Sequence, residues 1–106
     1  MGIWGFLKTQ DIHQGLEEYD VTPDALLVDV RTPGEYSQGH IPGSCNIPLQ
    51  SIDKVADYAD NKNIPLFVYC LSGARSQRAV GALKQMGYTR VKNLGGISGY
   101  RGKVEQ

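Results

Sequence analysis

Two short runs, Leu26-Leu27-Val28-Asp29-Val30 and Pro65-Leu66-Phe67-Val68-Tyr69, constrain the fold more than any other feature of the chain. Both lack the polar/apolar alternation of a strand with one wet face. Such runs suit strands covered on both sides, in a mostly parallel sheet between helices. Cys45-Asn46-Ile47 and Arg90-Val91-Lys92-Asn93-Leu94 read as weaker strands, and the residues after Met1 as an edge strand, five in all. Between them lie amphipathic segments with recognisable ends. Thr9 is placed to cap a helix carrying Ile12, Leu16 and Tyr19 on one face. Thr32-Pro33-Gly34-Glu35 has the form of a capping box with proline in the first turn. Ser51 opens a helix whose apolar face is Ile52, Val55, Ala56 and Ala59. A last helix carries Ala79, Val80, Leu83 and Met86 and stops at Gly87. Strands alternating with helices predict an α/β three-layer sandwich. Ligands in such sheets bind beyond the carboxyl ends of the strands. Two runs end there in polar groups, Asp29-Val30-Arg31 and Cys70.

The 106 residues suit one domain over 1–106. Eleven basic and eleven acidic residues leave no net charge, so no field attracts nucleic acid or an acidic membrane surface. The apolar start Met1-Gly2-Ile3-Trp4-Gly5-Phe6-Leu7-Lys8 is short, with no basic lead and no small-residue cleavage site. A cytoplasmic protein is expected. Two cysteines outside any Cys-x-x-Cys pair are too few for a disulfide scaffold, so each is either a small buried side chain or a reactive thiol.

Cys70 has the neighbours of a reactive thiol. It ends a buried strand and opens Cys70-Leu71-Ser72-Gly73-Ala74-Arg75-Ser76, which runs straight into the last helix. A loop of small residues with a glycine can curl its N–H groups inward into an anion-binding nest. The helix N-terminus adds partial positive charge in the same direction. Both favour thiolate, the nucleophilic form. The Arg75 guanidinium is expected to add charge and a planar donor fork.

This segment resembles the active-site loop of rhodanese-like domains, in which the catalytic cysteine opens a six-residue loop closed by arginine. Asp29-Val30-Arg31-Thr32-Pro33-Gly34-Glu35-Tyr36, Gly39-His40-Ile41-Pro42-Gly43-Ser44 and Asn46-Ile47-Pro48-Leu49 look like the family's amino-terminal signature, and Asn93-Leu94-Gly95-Gly96 like its closing one. The resemblance runs from about Leu26 to Tyr100 in the family's order. It implies the rhodanese fold and a sulfurtransferase with Cys70 as sulfur carrier. The cradle would be Leu71, Ser72, Gly73, Ala74 and Arg75, with Ser76 beside it. Sulfur would pass from thiosulfate or a persulfide to Cys70, and then to cyanide, a thiol or a partner protein, with no metal or organic cofactor.

The remaining polar residues divide between chemistry and structure. Arg31 and Asp29 either steer anions and anchor the loop, or tie a strand end to the next helix. Glu35 is expected to cap its helix, and His40 to hold its turn through hydrogen bonds. Cys45 is expected as a small buried residue; a resolving thiol for Cys70 is the lesser reading. Zinc on Cys45, Cys70, His13 and His40 lacks the close ligand pairs of structural sites. Two departures from the family pattern, Tyr100 in place of tryptophan and the tail Arg101–Gln106, are expected to change packing near the loop.

Two other functions compete. Cysteine-dependent phosphatases and arsenate reductases build a related nest, but the phosphatases that resemble rhodaneses place five residues between cysteine and arginine. Here Leu71, Ser72, Gly73 and Ala74 make four, a ring better sized for one sulfur. A non-catalytic docking module is the other rival, and such modules usually lack the cysteine.

Overall fold

The computed structural model describes residues 11–106. Helix α1 (Ile12–Asp20) is followed by β1 (Leu26–Asp29), α2 (Pro33–Gln38), β2 (Cys45–Asn46), a 3₁₀ run (Leu49–Asp57), β3 (Leu66–Cys70), α3 (Ala74–Gln85), β4 (Val91–Gly96) and a 3₁₀ turn (Ile97–Gly99). The four strands lie in the order β2-β1-β3-β4, and every pairing is parallel. The expected fifth strand, after Met1, lies outside the described residues. So does Thr9; the carboxylate of Asp11, accepting from the His13 amide at 3.0 Å, caps α1. The capping box at Thr32 is formed in both directions.

Strand periodicity sorts the core into two layers. On β3, Leu66, Val68 and Cys70 face Ala79, Val80 and Leu83 of α3 and Ile52 and Val55 of the 3₁₀ run. Phe67 and Tyr69 face the opposite layer, with Ile12, Leu27, Ile41 and Leu94. All five side chains of β3 are buried, as its unbroken apolar run requires. The last strand residue therefore points its thiol toward the start of α3.

Two elements differ from the sequence reading. Ser51 does not open a helix but sits at a kink (φ −116°, ψ 26°) within the 3₁₀ run that begins at Leu49. With three residues per turn, Ile52 and Val55 share the inner face while Ala56 is exposed. The pairing of β3 with β4 shifts between Val68 and Tyr69, so that Val68 faces Asn93 but Tyr69 faces Gly95. Leu94 is the extra residue of this bulge. Bulges re-aim the side chains beside them, and this one lies level with the thiol.

Candidate active site

The loop after β3 is a direct consequence of its residues. Gly73 takes φ +105°, a left-handed conformation that costs glycine nothing, and turns the chain from strand into α3. That turn brings two backbone amides onto the sulfur: Gly73 N–H donates to Cys70 Sγ at 3.0 Å and Ser76 N–H at 3.3 Å. Cys70 itself is 1 % exposed, on the floor of the loop. Burial pushes its thiol up. The Ser76 hydroxyl and the amides of Ser76, Gly73 and Ser72 outweigh burial, and the thiol lies below its ordinary range.

Ser76 is held in turn by Asn93. Its Oγ lies 3.4 Å from Sγ, 2.7 Å from Asn93 Oδ1 and 3.0 Å from the Gly73 carbonyl. The Asn93 amide has its orientation set, because Oδ1 accepts the Gly95 N–H at 2.8 Å while Nδ2 donates to Gly73 O and Gln77 Oε1. Asn93 thus fastens the loop to the bulge in β4. Behind the loop the fit is closer still. A Cβ on Gly96 would stand 2.1 Å from the Leu71 carbonyl oxygen and 2.6 Å from Ser72 Cα. Ser98 N–H donates to that same carbonyl at 3.1 Å.

The two arginines are each closed by a carboxylate. Arg31 Nε and Nη2 donate to Asp29 at 2.8–3.1 Å, and Nη2 also donates to the Gly39 carbonyl at 2.8 Å. Both residues are buried. Asn46 Nδ2 donates to the carbonyls of Asp29 and Arg31, so this pair clamps the strand end to the Gly39 turn. Arg75 does not turn its fork toward the sulfur as expected. Nη1 and Nη2 donate to Glu35 Oε1 and Oε2 at 2.8 and 3.0 Å. Glu35 therefore does more than cap its helix. Arg75, followed by the Thr32 amide, holds its carboxyl well down, at about 2. Leu71, Ser72 and Ala74 are exposed around the rim.

Residues outside the loop take quieter places. His40 donates Nδ1–H to the Tyr36 carbonyl at 2.9 Å and stacks on the Tyr36 ring. Its turn is held from beneath by Tyr69, whose hydroxyl accepts the Ile41 N–H and meets Ser44 Oγ, both at 3.1 Å. Cys45 is half-buried, its Sγ directed at the Leu27 carbonyl, and burial pushes its thiol up. Cys45 and Val68 both pair with Val28, from opposite sides. Two strand spacings, about 9–10 Å, separate that level of β3 from Cys45, and Cys70 is two residues further along. That exceeds the ~7 Å limit between Cα atoms in a disulfide, so Cys45 is not a resolving thiol. Tyr100 stacks on His13, 5.3 Å between centroids, and packs in the α1 layer. The tail runs back to the His40 turn, where Glu105 pairs with His40 and Gln106 Nε2 donates to the Gln38 carbonyl, so neither departure packs on the loop as expected. Among the described residues no three His, Cys, Asp or Glu side chains converge as metal ligands.

The structure thus assembles Cys70, Gly73 and Ser76, leaves Leu71, Ser72 and Ala74 at the rim, and turns Arg75, Asp29 and Arg31 into ion pairs. Sequence reasoning missed the roles of Glu35, Asn93 and Gly96. The signal was present in Asn93-Leu94-Gly95-Gly96, but a motif four residues long does not reveal what it packs against.

A model of the Rhodanese-like domain matches residues 8–103. Thiosulfate sulfurtransferase PspE of Escherichia coli K12 is 42% identical over 71 residues, covering 66% of this chain and 68% of that protein. A sulfurtransferase of Allochromatium vinosum is 45% identical over 78 residues, 72% of this chain and 71% of the other. Among solved structures, an Escherichia coli rhodanese with anions superposes with a TM-score of 0.73 at 36% identity, over 77% of this chain and 98% of that one.

Proposed function

The chain belongs to the rhodanese-like domain family, and from that membership we propose that it is a sulfurtransferase carrying sulfane sulfur as a persulfide on Cys70. The observation that carries this reading is the pair of amides, from Gly73 and Ser76, aimed at Cys70 Sγ. They favour the thiolate, and a thiolate needs no general base.

In the first step Cys70 Sγ attacks the outer sulfur of the donor. The donor's S–S bond breaks, its electron pair departs with the leaving group, and Cys70 keeps one extra sulfur. With thiosulfate the leaving group is sulfite. In the second step a nucleophile such as cyanide or a thiol attacks that outer sulfur and regenerates the thiolate. Ala74 and Arg75 are the first residues of α3, whose amides have no acceptor within the helix. Together with the Leu71 and Ser72 amides they form the proposed cradle for the outer sulfur, and Ser76 steadies the inner one. A donor approaches end-on because Cys70 lies on the loop floor. Arg75 acts by holding the loop to Glu35. Asp29 and Arg31 act by clamping the end of β1 to the Gly39 turn.

Small sulfur-containing anions, persulfides and a donor or acceptor protein are the proposed partners. No described helix is long and apolar enough to cross a membrane, and the proposed location is the cytoplasm. Intact mass after incubation with a sulfur donor tests the reading. A gain of one sulfur (~32 Da) that dithiothreitol removes, and that Cys70→Ser never acquires, is expected of a nucleophilic cysteine. A mass unmoved by any donor would leave only a docking module.

A further inference from the structure

The charges around the loop limit which sulfur donors it can take. Arg75, the one cation within the loop, has both terminal nitrogens on Glu35. Arg31, at the neighbouring strand end, is closed by Asp29 and the Gly39 carbonyl and is buried. Each pair is formally neutral. The described N–H groups donating to Cys70 Sγ are the backbone amides of Gly73 and Ser76, with the Ser76 hydroxyl 3.4 Å away. The negative charge of the sulfur is thus met by dipoles, with no free cation among these groups for a second or third charge. The rim beside the thiol carries no charge, and its largest exposed side chain is apolar: Leu71 is 45 % exposed, next to exposed Ser72 and Ala74.

Resting on the sulfur-transfer reading above, we propose that the loop selects singly charged organic sulfane-sulfur donors, whose carbon substituent lies on Leu71, over the inorganic dianion thiosulfate. An organic thiosulfonate has the required form, with carbon in place of one anionic oxygen of thiosulfate. Cys70–S⁻ attacks the terminal sulfur of R–SO₂–S⁻. The S–S bond breaks, R–SO₂⁻ leaves with the electron pair, and Cys70–S–S⁻ remains. The same step with thiosulfate brings one more negative charge against the thiolate and expels a dianion. Repulsion between like charges grows as water is excluded from the site.

The test compares thiosulfate with benzenethiosulfonate, read as the second-order rate of persulfide formation on Cys70 by intact mass. The wild-type rate is expected to be at least about tenfold higher with benzenethiosulfonate, and its thiosulfate rate to rise with ionic strength as repulsion is screened. Glu35→Gln can still close the capping box but leaves the Arg75 charge without a carboxylate to balance it. It should raise the thiosulfate rate relative to benzenethiosulfonate about tenfold. Ala74→Lys, which places a new cation on the exposed rim without touching Glu35, should shift the ratio the same way. Leu71→Ser should shift it by slowing benzenethiosulfonate alone. A wild-type preference for thiosulfate, or a ratio unmoved by both Glu35→Gln and Ala74→Lys, overturns this selectivity and leaves sulfur transfer standing. If neither donor adds sulfur to Cys70, sulfur transfer itself fails.

Discussion

Gly96→Ala is the most direct trial of the loop as the working part of this domain. Its Cβ would stand 2.1 Å from the Leu71 carbonyl oxygen and 2.6 Å from Ser72 Cα, both backbone atoms that no rotamer change can move aside. Ordinary contact needs about 3.5 Å, so the loop must retreat by about 0.9–1.4 Å. A displacement of that size would carry the Gly73 amide, now 3.0 Å from Sγ, to the edge of hydrogen bonding with sulfur. Hydrogen bonds to charged groups are worth about 1.5–3 kcal/mol. The loss of one lowers the thiolate population below its midpoint roughly 10- to 100-fold. Overpacking itself costs about 1–3 kcal/mol of stability. The assay is the rate of Cys70 alkylation by iodoacetamide against pH, with Cys45→Ser as background and a denaturant melt in parallel. The variant should fold, with a lowered denaturation midpoint, while its alkylation curve moves to higher pH. A folded Gly96→Ala protein with an unmoved alkylation curve would refute the claim that these amides set the state of the sulfur.

Other outcomes follow from the same contacts. Ser76→Ala removes the hydroxyl 3.4 Å from Sγ and should slow alkylation at neutral pH about tenfold, the lower end for a bond to a charged group; an unchanged rate would show that the amides suffice. Glu35 has its carboxyl lowered to about 2 from an ordinary 4.5, so its contribution to stability is complete above pH 4.5 and is lost as pH falls from there toward 2. Melting temperature measured from pH 6 down to 2.5 should fall less steeply in Glu35→Gln than in wild type. Tyr69→Phe leaves the buried Ile41 N–H without its acceptor and should cost about 1–3 kcal/mol, seen as a lower urea midpoint with unchanged slope.

What is local in the chain was legible in it. The unbroken apolar runs of β1 and β3 announced a sheet covered on both faces, because burial on both sides removes any reason for alternation. The capping box at Thr32 and the nest from Cys70 to Ser76 were likewise readable, since each closes within a few residues and depends only on residue type and order. Ser51 and Ala56 were misread because α and 3₁₀ spacing differ by too little over two turns to separate in so short a segment. The partners that finish the site come from further away. Arg75 meets Glu35 from 40 positions distant, Ser76 meets Asn93 from 17, and Gly96 seals the back of Leu71 and Ser72. Those meetings depend on the strand order β2-β1-β3-β4 and on the bulge at Leu94, which sets the Asn93 amide and the following glycines against the loop. The cysteine at the end of a buried strand and the tight turn of small residues after it were therefore legible in sequence alone. Whether the loop arginine faced the sulfur or a carboxylate was decided by which surfaces the folded sheet brought together.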